Sequence, residues 1–214
     1  MGKNLSKTNG KIDRLLSVAP KLDRQDVLSR YRDQFHIPRQ DDGSEKLYFC
    51  GHSLGLQPLA AESAILEQLQ AWGERGVDGH FGGDPAWIDF HEQLREPLAG
   101  LAGARSTEVV VMNTLTVNLH LMMVSFYRPR GQRRKILIEK HAFPSDRYAV
   151  ESQLRFHGLD PAECLLELAP ESGSRIVEES SIEAYLHDHG EEIALVLWPG
   201  VQYASGQAFD LALR

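Results

Sequence analysis

The sequence predicts an α/β fold in which a mostly parallel sheet is flanked by helices. Three observations carry that expectation. Short β-branched or leucine-rich runs at Glu108–Met112, Lys135–Glu139 and Ile193–Trp198 are bounded by turn formers, as buried strands are. Between such runs lie longer segments with apolar residues at helical spacing. That alternation is the mark of right-handed crossover units, which cover both faces of a parallel sheet. Third, 42% hydrophobic and 25% charged residues in a chain of 214 describe an ordinary globular protein rather than a disordered or fibrous one.

Taken in order, residues 1–20 are rich in Lys and Asn and read as a loose extension. Leu22, Val27, Leu28, Tyr31 and Phe35 mark an amphipathic helix closed before Pro38, and 41–45 is a polar loop. Lys46–Cys50 reads as a strand running into the glycine-rich turn Gly51–Pro58. Leu59, Ile65, Leu66, Leu69 and Trp72 form one side of a helix stopped by Gly73 and Gly76. Residues 76–85 hold too many glycines for regular structure and form a loop. A helix opened by Pro85 carries Trp87, Phe90, Leu94 and Leu98. The strand Glu108–Met112 turns at Asn113–Thr116 into a helix reaching Phe126. After the strand Lys135–Glu139 come a turn at 141–146, a helix over 145–157 closed by Gly158, a strand at 164–168, a helix at 180–187 and the strand at 193–198. A sheet of this kind needs a further covering helix, so it reads as incomplete at the C-terminus.

A formal charge of -7 argues against a nucleic-acid or anionic-membrane partner. No apolar run approaches the ~20 residues of a membrane span, and the first residues lack a signal-peptide core. Cys50 and Cys164 stand apart without a partner spacing, so neither a disulfide framework nor a zinc site is expected. A soluble, cytoplasmic protein is the expectation. Met1-Gly2 with Ser6 fits an acylation pattern and Asn4-Leu5-Ser6 a glycosylation pattern, but both are too short to carry weight.

Three segments bear chemistry. Gly51-His52-Ser53-Leu54-Gly55 spells a nucleophile elbow, which would make a serine hydrolase of the chain. Its context opposes that: too few strands precede Ser53, and Gln57-Pro58 interrupts the helix that should follow. A glycine turn with a capping serine fits better. Asn113-Thr114-Leu115-Thr116 lies between a strand and a helix N-terminus, where free N–H groups and the helix dipole favour an anion such as phosphate, although a plain threonine cap has the same look. His141-Ala142-Phe143-Pro144-Ser145-Asp146 follows a strand at the end where parallel sheets place ligands. An aromatic beside a carboxylate there suits a flat heterocycle, and a capped helix start is the plainer reading. His187-Asp188-His189 lacks the spacing and third ligand of a metal site, and His120 and His157 read as helix histidines.

Phe49–Pro58 (FCGHSLGLQP), Met112–Met123 (MNTLTVNLHLMM), Ala142–Gly158 (AFPSDRYAVESQLRFHG) and Pro199–Phe209 (PGVQYASGQAF) together resemble the N-terminal half of the kynureninase family, from about Leu22 onward. That resemblance implies the fold type I architecture of pyridoxal-phosphate enzymes and a homodimer. It also implies hydrolysis of L-kynurenine, or 3-hydroxykynurenine, to anthranilate or 3-hydroxyanthranilate and L-alanine, in tryptophan catabolism and NAD biosynthesis. By the same resemblance, Leu115 and Thr116 hold the pyridoxal 5'-phosphate phosphate group. Phe143, Pro144, Ser145 and Asp146 form the segment under its ring, and Ser53 and His80 approach the substrate. His52 stands where the family commonly has asparagine, and Pro199 where some members have a cofactor-contacting serine. The implied division is a flexible extension at 1–20, a segment at 21–60 packing with the small domain, and the first part of the large cofactor domain at 61–214.

The family's Schiff-base lysine, its neighbouring tyrosine, the aspartate and histidine at the pyridine nitrogen and the substrate-binding arginine match positions beyond Arg214. No catalytic residue is therefore expected within these 214 residues, and the isolated chain is expected to be inactive. The competing expectation is a non-catalytic fragment or a partner subunit of a complete enzyme.

Overall fold

A computed structural model describes residues 3–210, so the Met1-Gly2 pattern and residues 211–214 lie outside the described residues. The chain divides into two compact units, 1–90 and 91–214.

The first unit opens with α1 (Lys3–Gln25), where the sequence suggested a loose extension. Ile12, Leu15 and Leu16 stand at helical spacing, and Pro20 is the first proline met. The described side chains of α1 are all exposed. The helix expected over 22–35 does not form as one piece. Asp26 Oδ1 accepts the Leu28 amide at 2.9 Å, diverting the chain into a turn, and only a 3₁₀ stretch at Ser29–Gln34 follows. Then β1 (Phe35–His36) pairs antiparallel with β2 (Gln57–Pro58). Lys46–Cys50 forms no strand: the Lys46 N–H donates to the Pro38 carbonyl beside the isolated Arg39–Glu45 bridge, but no ladder continues beyond it, and Leu47 and Phe49 are exposed. A β-prone run becomes a strand only through a ladder. Next comes α2 (Ala61–Arg75), ended by Gly76 at φ 53°, with a 3₁₀ turn over Gly76–His80. Among the described residues of this unit, Gly79 alone is buried.

The helix expected from Pro85 is broken into 3₁₀ turns at Trp87–Asp89 and Glu92–Leu94, followed by α3 (Arg95–Ala102). Pro97 explains the restart. It has no N–H to give a helix running through it, but it is tolerated in a first turn. Gly103, left-handed at φ 66°, closes α3. Val109 is extended, yet Glu108–Met112 finds no partner strand among the described residues and is not a strand either.

From there on sequence and structure agree closely. α4 (Leu115–Phe126), β3 (Lys135–Glu139), α5 (Pro144–Phe156), the short α6 (Pro161–Cys164), β4 (Leu165–Leu168), α7 (Glu179–His189) and β5 (Ile193–Leu197) follow in turn. The three strands form a parallel sheet in the order β4-β3-β5. Met123 and Tyr127, Ile136 and Ile138, Ala149, Val150 and Leu154, and Cys164 make one buried cluster. Each such aliphatic or aromatic side chain contributes about 1.5–3 kcal/mol by leaving water. Alternation along β3 turns Ile136 and Ile138 toward that cluster and Leu137 and Glu139 the other way, and all four are buried.

Candidate functional site

α4 and α5 are each joined to β3 by a short connection and run antiparallel to it, packed side by side. Their C-terminal ends meet where the Tyr127 and His157 rings lie edge to face, 5.2 Å apart. Both N-termini therefore lie at the C-terminal end of β3, where parallel sheets gather their ligands.

At the first of these N-termini, Thr114 caps α4 in an extended conformation without a side-chain cap bond, and Leu115 and Thr116 are exposed. The first-turn N–H groups have no carbonyl within the helix to bond. Asn118 shapes the approach. Its amide clamps the Asn113 backbone at both ends, accepting from the Asn113 N–H and donating to the Asn113 carbonyl, each at 3.1 Å. Sequence reading passed over Asn118, though an amide one turn inside a capped helix was its available signal.

At the second, Phe143 is the N-cap of α5, Pro144 opens the helix, and the Phe143 carbonyl accepts the Asp146 and Arg147 amides. The Ser145 hydroxyl donates to Asp146 Oδ1 at 3.2 Å. The Phe143 ring is half-exposed and meets the Tyr203 ring edge to face at 5.1 Å. Tyr203 belongs to the 199–209 segment, which folds back on itself. Gln202 Oε1 accepts the Ala204 and Ser205 amides at 2.6 and 2.7 Å, and the Gln202 amide donates to the Gln207 carbonyl at 2.8 Å. The structure thus brings together the third and fourth of the sequence runs noted above. Behind them Glu139 is 3% exposed, and burial pushes its carboxyl above the usual range against a hydrogen bond from the Gln202 side chain. Sequence reading saw Glu139 only as a strand end. Pro199 lies just beyond β5.

In the first unit, His80 lies in an apolar cleft of about 460 Å³ lined by Ile65, Gln68, Leu69, Trp72 and Trp87. Its imidazole meets the Trp87 ring edge to face at 5.5 Å, and Trp87 Nε1 donates to Gln68 Oε1 at 3.0 Å. The sequence pattern predicts both tryptophans on helix faces and gives no sign of the cleft. Ser53 and His52 sit in an exposed turn in which the Cys50 carbonyl accepts the Ser53 and Leu54 amides. Among the described residues no hydrogen bond or ring contact joins Ser53 to a histidine, and no strand leads into the turn as an elbow requires. Likewise, no group of three or more metal-ligating side chains occurs among the described residues, and no described helix is long and apolar enough to cross a membrane. Cys50 is exposed and Cys164 buried, both as free thiols.

A parallel sheet with the N-termini of two flanking helices at the C-terminal end of its central strand defines a protein of the α/β class. Curated relatives give the comparison more detail. The kynureninase of Stenotrophomonas maltophilia is 54% identical over 190 residues, covering 89% of this chain and 45% of its own length. Those of Koribacter versatilis and Myxococcus xanthus are 52% and 54% identical over 196 residues, each covering 92% of this chain and 46% of theirs. The chain is thus similar, over about nine-tenths of its length, to the N-terminal part of proteins named kynureninase. It spans about half the length of the curated relatives it matches. No family model matches it.

Proposed function

We propose that this chain is the cofactor-phosphate and ring-stacking part of a pyridoxal-phosphate-dependent kynureninase, which hydrolyses L-kynurenine or 3-hydroxykynurenine to L-alanine and the matching anthranilate. The observation that carries the reading is identity above 50% to proteins named kynureninase over about nine-tenths of the chain. The residues present suit the cofactor. The α4 N-terminus, at the C-terminal end of β3, offers first-turn backbone N–H groups to a phosphate at Leu115 and Thr116, with the Thr116 hydroxyl beside them. The half-exposed Phe143 ring offers a face to a heterocycle, while Pro144, Ser145 and Asp146 shape the turn.

When bound, pyridoxal phosphate supplies an electron sink for bonds broken in an amino-acid substrate. Within this chain, Leu115 and Thr116 anchor its anionic end and Phe143 orients its ring. His80, in the cleft it lines with Trp72 and Trp87, presents an imidazole N–H or lone pair to an aromatic substrate, and Ser53 adds a hydroxyl. The division into 1–20, 21–60 and 61–214 is retained as part of this proposal, as are the homodimer and a cytoplasmic location. The 214-residue chain alone is proposed to be without turnover, because the family's Schiff-base lysine matches a position outside it.

A chimera tests the reading. This chain is joined to the part of the Stenotrophomonas relative beyond the match, and kynurenine hydrolysis is assayed. Turnover that falls at least tenfold on Thr116→Val or Phe143→Ala supports it. A folded chimera that binds pyridoxal phosphate without turning over kynurenine overturns it.

A further inference from the structure

Where α4 meets α5, one polar pair crosses an otherwise apolar contact. Met123, Ala149, Val150 and Leu154 are buried around it. Gln153, only 7% exposed, brings its Nε2 to 3.2 Å from His120 Nδ1. Oε1 of the same amide is buried without a partner. As a source of stability this is a poor arrangement. A half-satisfied buried amide carries a desolvation cost, and apolar replacement of such pairs is commonly neutral or stabilising. What a single buried hydrogen bond does supply is register, because aliphatic contacts tolerate sliding and repacking and a hydrogen bond does not.

Register between these two helices matters because of what stands at their tips. Thr116 and His120 are four residues apart on α4 and share a face. Gln153 lies two turns along α5 from Asp146, on the same side. A slide of α4 along α5 by a fraction of a turn separates the Leu115–Thr116 turn from the Phe143–Asp146 segment by ångströms, since each residue rises about 1.5 Å. We propose that His120 and Gln153 are positioning residues that fix the spacing between these two segments, so that a ligand with a phosphate at one end and a flat ring at the other is gripped at both. This rests on the pyridoxal-phosphate reading above.

Two probes separate this inference from that reading. Inorganic phosphate engages the α4 turn alone, whereas pyridoxal phosphate spans both segments. Each is titrated into the 214-residue chain and followed through the backbone amide resonances of Leu115, Thr116 and Asp146. In Gln153→Met, and in His120→Leu/Gln153→Leu, pyridoxal phosphate is expected to bind about tenfold more weakly while phosphate affinity stays within about twofold. The double variant is expected to melt no lower than the parent. His120→Gln, which keeps a hydrogen-bonding group facing Gln153, is expected to recover most of the pyridoxal-phosphate affinity. Unchanged pyridoxal-phosphate affinity in Gln153→Met, or an equal loss of both probes, overturns the inference while leaving the cofactor reading standing. A parent chain that binds neither probe at Leu115 and Thr116 overturns both.

Discussion

Gln207 and Val177, thirty residues apart, are tied at both ends of one side-chain amide. The Val177 N–H donates to Gln207 Oε1 at 2.9 Å, and Gln207 Nε2 donates to the Val177 carbonyl at 2.7 Å. Val177 is 4% exposed, so no solvent stands ready to replace either bond. The amide serves as a strand-like neighbour for a single residue in the connection leading to α7, and it anchors the 199–209 segment that carries Tyr203 to Phe143.

Gln207→Ala strands a buried N–H and a buried carbonyl together. A loss of about 2–4 kcal/mol is expected by urea unfolding. Gln207→Glu keeps the acceptor and loses the donor, and its cost should lie between those of parent and alanine. An alanine variant as stable as the parent would show that water fills the place of the amide.

Glu139 predicts a pH dependence. Its folded carboxyl titrates above the ordinary 4.5 because burial outweighs the Gln202 hydrogen bond. A group raised in this way favours the folded state fully below its unfolded pKa, and that contribution is lost as pH rises through the folded value. Glu139→Gln removes the titration. The melting temperature of the variant minus that of the parent is expected to grow from pH 4 toward neutrality, and a constant difference would sink the prediction.

Tyr127 acts at the other end of the scale. Desolvation pushes its phenol up to about 12 from 10.0, and its hydroxyl donates to the Arg134 carbonyl at the turn before β3. Its contribution is therefore present below pH 10 and is lost between 10 and about 12. Tyr127→Phe should cost about 1 kcal/mol at neutral pH and should lose less stability than the parent across that alkaline window. Urea midpoints of both proteins at neutral pH and at pH 10 and above decide it.

Gly79 is expected to resist even one carbon. A Cβ there would lie 2.5–2.8 Å from three ring carbons of Trp87. The indole is held by Gln68, so it cannot yield freely. Gly79→Ala should cost about 1–3 kcal/mol and shift tryptophan fluorescence as the ring leaves His80. Gly79→Ala paired with Trp87→Leu should recover part of that loss, and no recovery would place the strain elsewhere.

How far the sequence could be read differs between the two units for a physical reason. From Leu115 to Leu197 the three strands find ladder partners and α4 and α5 pack into one buried cluster, so local pattern and tertiary packing agree. β3, α5 and β5 fall within a residue or two of expectation. The Leu115–Thr116 turn and the Phe143–Asp146 start were legible because a strand-to-helix junction announces itself by its cap and proline. Lys46–Cys50 and Glu108–Met112 failed because composition can mark a β-prone run but cannot provide its neighbour. The helix expected from Pro85 breaks upstream of Arg95 and restarts there as α3, because Pro97 gives no N–H to a helix running through it but is tolerated in a first turn. Gln153 and Gln207 were beyond reach. Each acts through an amide whose partner is set by packing rather than by spacing.

The order of the strands has a kinetic consequence. Ile136 meets Leu165 across 29 residues of chain and Leu195 across 59. Doubling the length of a closing loop adds only about 0.6 kcal/mol of entropy, but it does so before any contact repays it. The β3–α5–β4 pairing also closes over side chains that are already local: Ile136, Val150, Leu154 and Cys164. In a refolding experiment followed by hydrogen exchange, the amides of β3 and β4 should gain protection ahead of those of β5. The Leu115–Thr116 turn and the Phe143–Asp146 segment, attached to the flanks of β3, would then be in place early, while the 199–209 segment that brings Tyr203 to Phe143 arrives last.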